Sequence, residues 1–240
     1  MPSEIKLFNM DCMEALKQMP DKAFDLAIVD PPYGIGLDKG GAVSVIPNKS
    51  ANPIFAPKEW DKKIPEEKYF NELKRVSRKQ IIWGGNYFLD ILGFCKAPII
   101  WNKLNGDSLY ADGEMAWTGG EEIPRNLKIW SHQWCGAFKA SERGNRNIHP
   151  TQKPVALYKW ILQKSKFAKE FDKILDTHLG SGSIAIACYD MGFDLTAYEI
   201  DLDYFNAAVK RLEVHKKQGQ LFMDEEEKHD KTEEQVRFLQ

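Results

Sequence analysis

Asp30-Pro31-Pro32-Tyr33 follows directly on an apolar run, Asp25-Leu26-Ala27-Ile28-Val29, and sets a carboxylate, two prolines and an aromatic ring in consecutive positions. Consecutive prolines donate no backbone hydrogen bond and hold the chain stiff and extended. The turn therefore presents the Asp30 carboxylate, the Pro31 carbonyl and the Tyr33 ring in fixed relation. That suits a flat group bearing an NH2: the two acceptors each take one amino hydrogen and the ring stacks. An aromatic amine is a poor nucleophile because its lone pair is delocalised. Holding both hydrogens favours a pyramidal nitrogen aimed at an electrophile such as a sulfonium methyl, and positioning supplies much of the remaining acceleration. The extra proton then leaves to Asp30 or to water. As a bare tetrapeptide the pattern also occurs in structural turns, so its weight depends on what accompanies it.

A second constellation lies far along the chain. Asp176-Thr177-His178-Leu179-Gly180-Ser181-Gly182-Ser183 follows a short apolar strand and opens a helix. Gly180 and Gly182 permit positive φ and close backbone approach, and the helix start offers N–H groups to an anion. Glu199 ends the next strand, nineteen residues after Gly180, where a carboxylate can accept from both hydroxyls of a ribose. The GxGxxA spacing (Gly180, Gly182, Ala185) fits a nicotinamide dinucleotide as well as S-adenosylmethionine, and it also occurs in tight turns that bind nothing. His178 reads as a packing or loop-bonding residue.

The elements around these turns alternate. Strands are expected at 5–8, 25–29, 80–85, 98–102, 114–118, 127–130, 173–176 and 195–200. Helices are expected at 12–18, 65–78 (opened by Pro65), 86–94, after Pro154, after Gly182 and at 203–217. This βαβ alternation predicts an α/β fold with a doubly wound, mostly parallel sheet, whose ligands sit beyond the carboxyl ends of the strands. At 240 residues the chain fits a single domain, 1–240, with an insertion at about 103–148 and a flexible acidic tail at about 218–240.

Charge is unevenly distributed. The net −2 includes −5 from residues 224–234, which leaves about +3 elsewhere. Between Arg125 and Lys153, six basic residues face one acid, Glu142, with Trp130, Trp134 and Phe138 interleaved. Basic residues with aromatics provide phosphate contact and base stacking, although a solvated basic loop looks the same. Arg125, Lys128, Lys139, Arg143 and Arg146 are the candidate DNA contacts. No apolar run approaches the roughly 20 residues of a membrane span, and the N-terminal MPSEIKLF lacks a signal-peptide pattern, so a cytoplasmic location is expected. Cys12, Cys95, Cys135 and Cys188 form no CxxC pair, which argues against disulfides and a zinc site; no metal is expected.

With both constellations in hand, the chain resembles the amino-methylating DNA methyltransferases of the circularly permuted β class, in which the D-P-P-Y tetrad precedes the glycine loop. LFNMDCMEALKQMPDKAFDLAIVDPPYG is similar to that family's opening segment, and His149-Pro150-Thr151-Gln152-Lys153-Pro154 to the motif before its glycine loop. IIWGGNYF and DGEMAWT resemble a phage and prophage branch. The resemblance implies Asp30, Pro31, Pro32 and Tyr33 as catalytic residues. It implies Asp11, Asp30, Thr151, Lys153, Asp176, Gly180, Ser181, Gly182, Ser183 and Glu199 around S-adenosylmethionine, with S-adenosylhomocysteine as product. It further implies double-stranded DNA as substrate with base flipping, and suggests homodimers. An aspartate before P-P-Y is usual in adenine-N6 enzymes; serine is commoner in cytosine-N4 enzymes, the alternative target. The family loop D-P-F-x-G-S-G-T departs here to DTHLGSGS, so Thr177 and His178 replace a proline and a phenylalanine. Recognition of DNA is expected from about 103–148, with Trp60 and Asp61 of the 35–61 loop able to close over the site.

Rival readings separate on the same residues. An NAD-type oxidoreductase leaves Asp30 to Tyr33 without a role. A methyltransferase acting on RNA or on protein glutamine runs against the motif order. A non-catalytic DNA-binding protein would not need an intact tetrad. Base deamination requires a PCxxC signature that is absent, and no G-x-S-x-G elbow supports a serine hydrolase.

Overall fold

The computed structural model describes residues 3–36, 58–106, 111–135, 138–142, 146–164 and 166–219. Eight strands form one sheet in the order β1 (Ile5–Asn9), β10 (Asp194–Glu199), β9 (Lys173–Asp176), β2 (Phe24–Val29), β3 (Ser77–Trp83), β5 (Gly113–Gly120), β4 (Ile99–Asn102), β6 (Lys128–Ser131). β7 (Trp134–Cys135) and β8 (Phe138–Lys139) make a separate hairpin that the sequence pattern did not reveal. All neighbours from β1 to β3 are parallel, whereas β5 runs antiparallel to both β3 and β4.

Both faces of this sheet are covered, which explains the unbroken apolar runs. On β2, Leu26 and Ile28 pack into one core and Ala27 and Val29 into the other. The first core includes Leu157 and Ile161 of α4 (Val155–Lys164), Ile184 of α5 (Ser183–Met191), and Ala208 and Leu212 of α6, helical over 202–219. The second holds Leu16 of α1 (Cys12–Leu16), Phe70 and Leu73 of α2 (Glu67–Val76) and Leu92 of α3 (Leu89–Leu92). None of the described helices is long and apolar enough to cross a membrane.

Two expectations need revision, and a third falls mostly outside the described residues. The helix expected over 65–78 stops at Val76, because Ser77 takes extended backbone and at once begins β3, its hydroxyl bonded to the Leu73 carbonyl. The span 103–148 is not a clean insertion. β5 and β6 lie inside it yet belong to the main sheet, which leaves the connectors 103–112, 121–127 and 132–148. Most of the acidic tail, residues 220–240, lies outside the described residues.

The sheet reverses direction at one place. From β9 the chain moves to β10 on one side, and from β2 to β3 on the other. Leu26 and Ala27 pair in parallel with Ile174 and Leu175, so the turns that follow β2 and β9 leave the same edge side by side. A crevice at such a switch point is where open α/β sheets bind ligands.

One glycine on this edge is required by geometry. Gly84 follows β3 with φ +71°, and a Cβ there would lie 2.2 Å from Cε1 of Tyr33. Gly84→Ala is expected to destabilise the fold by about 1–3 kcal/mol, from left-handed backbone and the ring clash together. A urea denaturation curve with an unchanged midpoint would refute the packing described.

Candidate active site

The turn after β2 and the loop after β9 open onto one cavity of about 290 Å3. Asp30, Pro31, Pro32 and Tyr33 line one part; Leu179, Gly180, Ser181 and Glu199 line another, with Thr151 and Lys153 between. Trp60, His149 and Tyr204 complete an aromatic wall, His149 lying edge-on to Tyr204 at 4.3 Å between ring centroids. Of the expected cofactor residues, Asp11, Asp176, Gly182 and Ser183 are not part of the lining. Asp11 caps α1 by accepting from the Met13 N–H, and Gly182 turns toward α6, where a Cβ would come within 3.0 Å of the Ala208 Cβ.

Asp61 fixes the proline turn. Its carboxylate is fully buried and accepts from the N–H groups of Tyr33 (2.7 Å) and Gly34 (2.8 Å). Charge-assisted bonds of this kind contribute about 1.5–3 kcal/mol each, enough to hold the turn in one conformation. Three residues earlier, Lys58 reaches Asp201 (2.6 Å) and Asp203 (2.8 Å) beyond β10. Segment 58–61 thus ties the two halves of the cavity together. Tyr33 itself is stacked on Tyr87 at 5.1 Å and 18°.

The Asp30 carboxylate accepts from Tyr33 Oη on one oxygen and from Lys153 Nζ on the other, both at 2.5 Å. Lys153 also lies 3.1 Å from Glu114 of β5, and Glu114 pairs with Lys103 at 2.6 Å. Burial pushes the Asp30 carboxyl up, against the pull of Lys153. Burial also acts to raise Glu114, but Lys153 and Lys103 outweigh it and hold that carboxyl at about 2. Two acids and two cations balance within the cluster. Glu114 was missed in the sequence, although strand alternation places it on the same face as Ala116 and Thr118, and a carboxylate there signals a paired charge.

The glycine loop is anchored from behind. Arg211 donates to the Ser181 carbonyl (2.8 Å) and the Ser183 hydroxyl (2.9 Å), and its other nitrogen pairs with Glu142 at 2.6 Å. Thr177 and His178 replace the family's proline and phenylalanine by a polar bracket: the Thr177 hydroxyl lies 2.7 Å from Tyr69 Oη and 2.9 Å from His178 Nδ1. His178 therefore does pack and bond within the loop, and burial lowers it to about 4. Glu199 accepts from the N–H of Gly180 (2.8 Å) and of Asp201 (2.9 Å), one on each oxygen. A carboxylate has about four lone-pair sites, so acceptor capacity remains.

The basic candidates do not converge on this cavity. β5 returns the chain to the amino edge of the sheet: Gly120 pairs with Lys79 early in β3, and Lys128 with Ile99, the first residue of β4. Arg125 and Lys128 therefore lie at the edge of the sheet opposite Asp30. Lys139 is 7% exposed, its ammonium 4.6 Å from the Trp134 ring and 2.6 Å from Asn147 Oδ1, so it is committed to the interior. Arg146 is exposed, three residues before His149, and Arg143 lies outside the described residues.

Comparison with known proteins agrees with this architecture. A family described as DNA methylase matches residues 89–210, and the chain belongs to that family. It is 26% identical to the type II methyltransferase M.HinfI of Haemophilus influenzae over 84% of this chain, and spans 66% of that relative's length. It is 24% identical to M.ScaI of Streptomyces caespitosus, over 88% of this chain and 82% of the relative. Among solved structures it is similar in fold to the M1.HpyAVI complex with S-adenosylmethionine (TM-score 0.53, 23% identity, 87% of this chain and 100% of that one). It is also similar to the cytosine-N4-specific PvuII DNA methyltransferase (TM-score 0.55, 13% identity, 87% of this chain and 86% of that one).

Asp176 offers a test of these electrostatics. It is 3% exposed, accepts from the His178 N–H at 2.9 Å, and is pushed up to about 8 chiefly by burial. The folded protein then carries a proton that the unfolded chain releases near pH 4, so this group removes stability as pH rises from about 4 to about 8. Asp176→Asn mimics the protonated form. Its melting temperature is expected to exceed that of the parent at pH 8 by a few degrees, with the gap narrowing toward pH 5. An equal gap at both pH values would contradict the assignment.

Proposed function

We propose that this chain is an S-adenosylmethionine-dependent DNA methyltransferase acting on the N6 amino group of a flipped-out adenine in double-stranded DNA, and that it is a member of the permuted β class. The observation that carries the reading is the shared cavity: the amine-holding turn of Asp30 to Tyr33 and the glycine loop of Gly180 and Ser181 line the same cavity from different sides.

The lining fits the cofactor. Glu199 keeps acceptor sites for ribose hydroxyls beside the glycine loop, and Leu179, Ile200 and Tyr204 give an apolar surface for an adenine. The amino end of α5 has no side-chain cap, which leaves backbone N–H groups near Ser181 and Ser183 for a carboxylate. Thr151 and Lys153 border the side toward Asp30, and Asp11 follows β1, the neighbour of β10. When bound, the cofactor supplies an electrophilic sulfonium methyl.

This chain's residues do the rest. Asp30 and the Pro31 carbonyl accept the two hydrogens of the target amine and turn its lone pair outward, and Tyr33 stacks on the base. Asp61 keeps those acceptors rigid, so little reorganisation is needed at the moment of reaction. Asp30 or water takes the departing proton. DNA approaches the carboxyl edge of the sheet, with recognition from the connectors 103–112 and 132–148 and phosphate contact from Arg146. The enzyme works in the cytoplasm, on a phage or bacterial genome, and assembles as a homodimer.

Incubation with S-adenosylmethionine and unmethylated duplex DNA, followed by nucleoside mass spectrometry, is expected to yield N6-methyladenine. N4-methylcytosine would move the target to the other amino base, and no methylated base would end the reading. Asp30→Ala is expected to lower transfer at least 1,000-fold, roughly 4 kcal/mol of barrier, while S-adenosylhomocysteine binding changes less than about threefold.

A further inference from the structure

Both oxygens of Asp30 are engaged, one by the Tyr33 hydroxyl and the other by the Lys153 ammonium. An incoming amine needs one of these oxygens. Lys153 is only 3% exposed, so moving off Asp30 to a place without a carboxylate would leave a buried charge unpaired. It has a second carboxylate within reach. Glu114 Oε2 lies 3.1 Å away, close enough to pair in charge, yet it is buried and not aligned with any donor as a hydrogen bond. The other oxygen of Glu114 is held by Lys103, whose ammonium also lies 4.9 Å from the centre of the Trp101 ring.

We infer that Glu114 is a positioning residue of the amino-transfer site: it receives the Lys153 ammonium when the target amine enters and thereby releases Asp30 as an acceptor. The inference rests on the function proposed above. The underaligned oxygen of Glu114 is what the exchange requires, since it leaves an acceptor in place before Lys153 arrives. Movement between two adjacent carboxylates keeps the cation paired throughout, so neither position demands new desolvation. Lys103 keeps Glu114 ionised and in place, and the cluster stays neutral whichever carboxylate Lys153 favours. Without Glu114, Lys153 remains locked on Asp30 and competes with the amine.

The test is a double-mutant cycle on methyl transfer to duplex DNA, with S-adenosylhomocysteine affinity and melting temperature measured on each variant. Glu114→Gln alone would leave an excess buried cation, so Lys103→Met is combined with it to remove one charge of each sign. Lys103→Met alone is the control. The double variant is expected to lower kcat by about 10- to 100-fold, the scale of a mispositioned reacting group, with cofactor-product affinity within about threefold. Lys103→Met alone, which still leaves Glu114 within reach of Lys153, is expected to lose several-fold less than the double variant. In a Lys153→Met background, removing Glu114 and Lys103 should cost nothing further, because Glu114 acts only through Lys153. A kcat unchanged in the double variant, or a loss of equal size with Lys153 already absent, would overturn the inference. A parent protein that transfers no methyl group would instead overturn the proposed function, so the two failures are told apart.

Discussion

Leu26 and Ala27 of β2 lie in parallel register with Ile174 and Leu175 of β9, although about 150 residues separate them in the chain. Everything at the site depends on this pairing. It is made by apolar side chains buried on both faces, so sliding the register by one residue would exchange the two cores. Two turns with quite different chemistry are thereby held against each other by strands whose apolar side chains are buried in the two cores. Asp61 and Lys58 add a second tie across the same crevice, from the proline turn to the end of β10.

Charge within the cavity follows two regimes. Asp30 and Glu114 are matched one for one with Lys153 and Lys103. Asp176 and Glu199 instead accept from backbone N–H groups, and burial raises both. An isolated buried carboxylate costs several kcal/mol to ionise, whereas one sharing a cation does not. Pairing holds Glu114 low, whereas burial still raises Asp30 against the pull of Lys153. Of the two unmatched acids only Glu199 lines the cavity, where a ligand can reach it; Asp176 lies behind the lining.

Most of the elements were legible because each strand is a short apolar run that ends at a turn residue. Asp30 to Tyr33 and Gly180 to Gly182 stood out for the same reason, since prolines and glycines constrain backbone in ways their neighbours cannot. What failed was anything that needs the third dimension. The basic residues from Arg125 to Lys139 look continuous in sequence, but β5 is antiparallel and carries Arg125 and Lys128 to the far edge, while Lys139 turns inward. Asp61 and Glu114 carry no motif. One is an acid in a polar stretch and the other an acid on a strand, and only their partners show what they hold. The hairpin of β7 and β8 is two residues a side, too short to leave a periodic trace.

The central claim is that one crevice holds both the amine and the methyl donor. A crystal structure with S-adenosylhomocysteine bound tests it directly. The account predicts the ribose at Glu199, the amino-acid end at the start of α5, and the sulfur facing Asp30 across the cavity. A ligand seated on another face of the sheet, or one whose sulfur points away from Asp30, would contradict it.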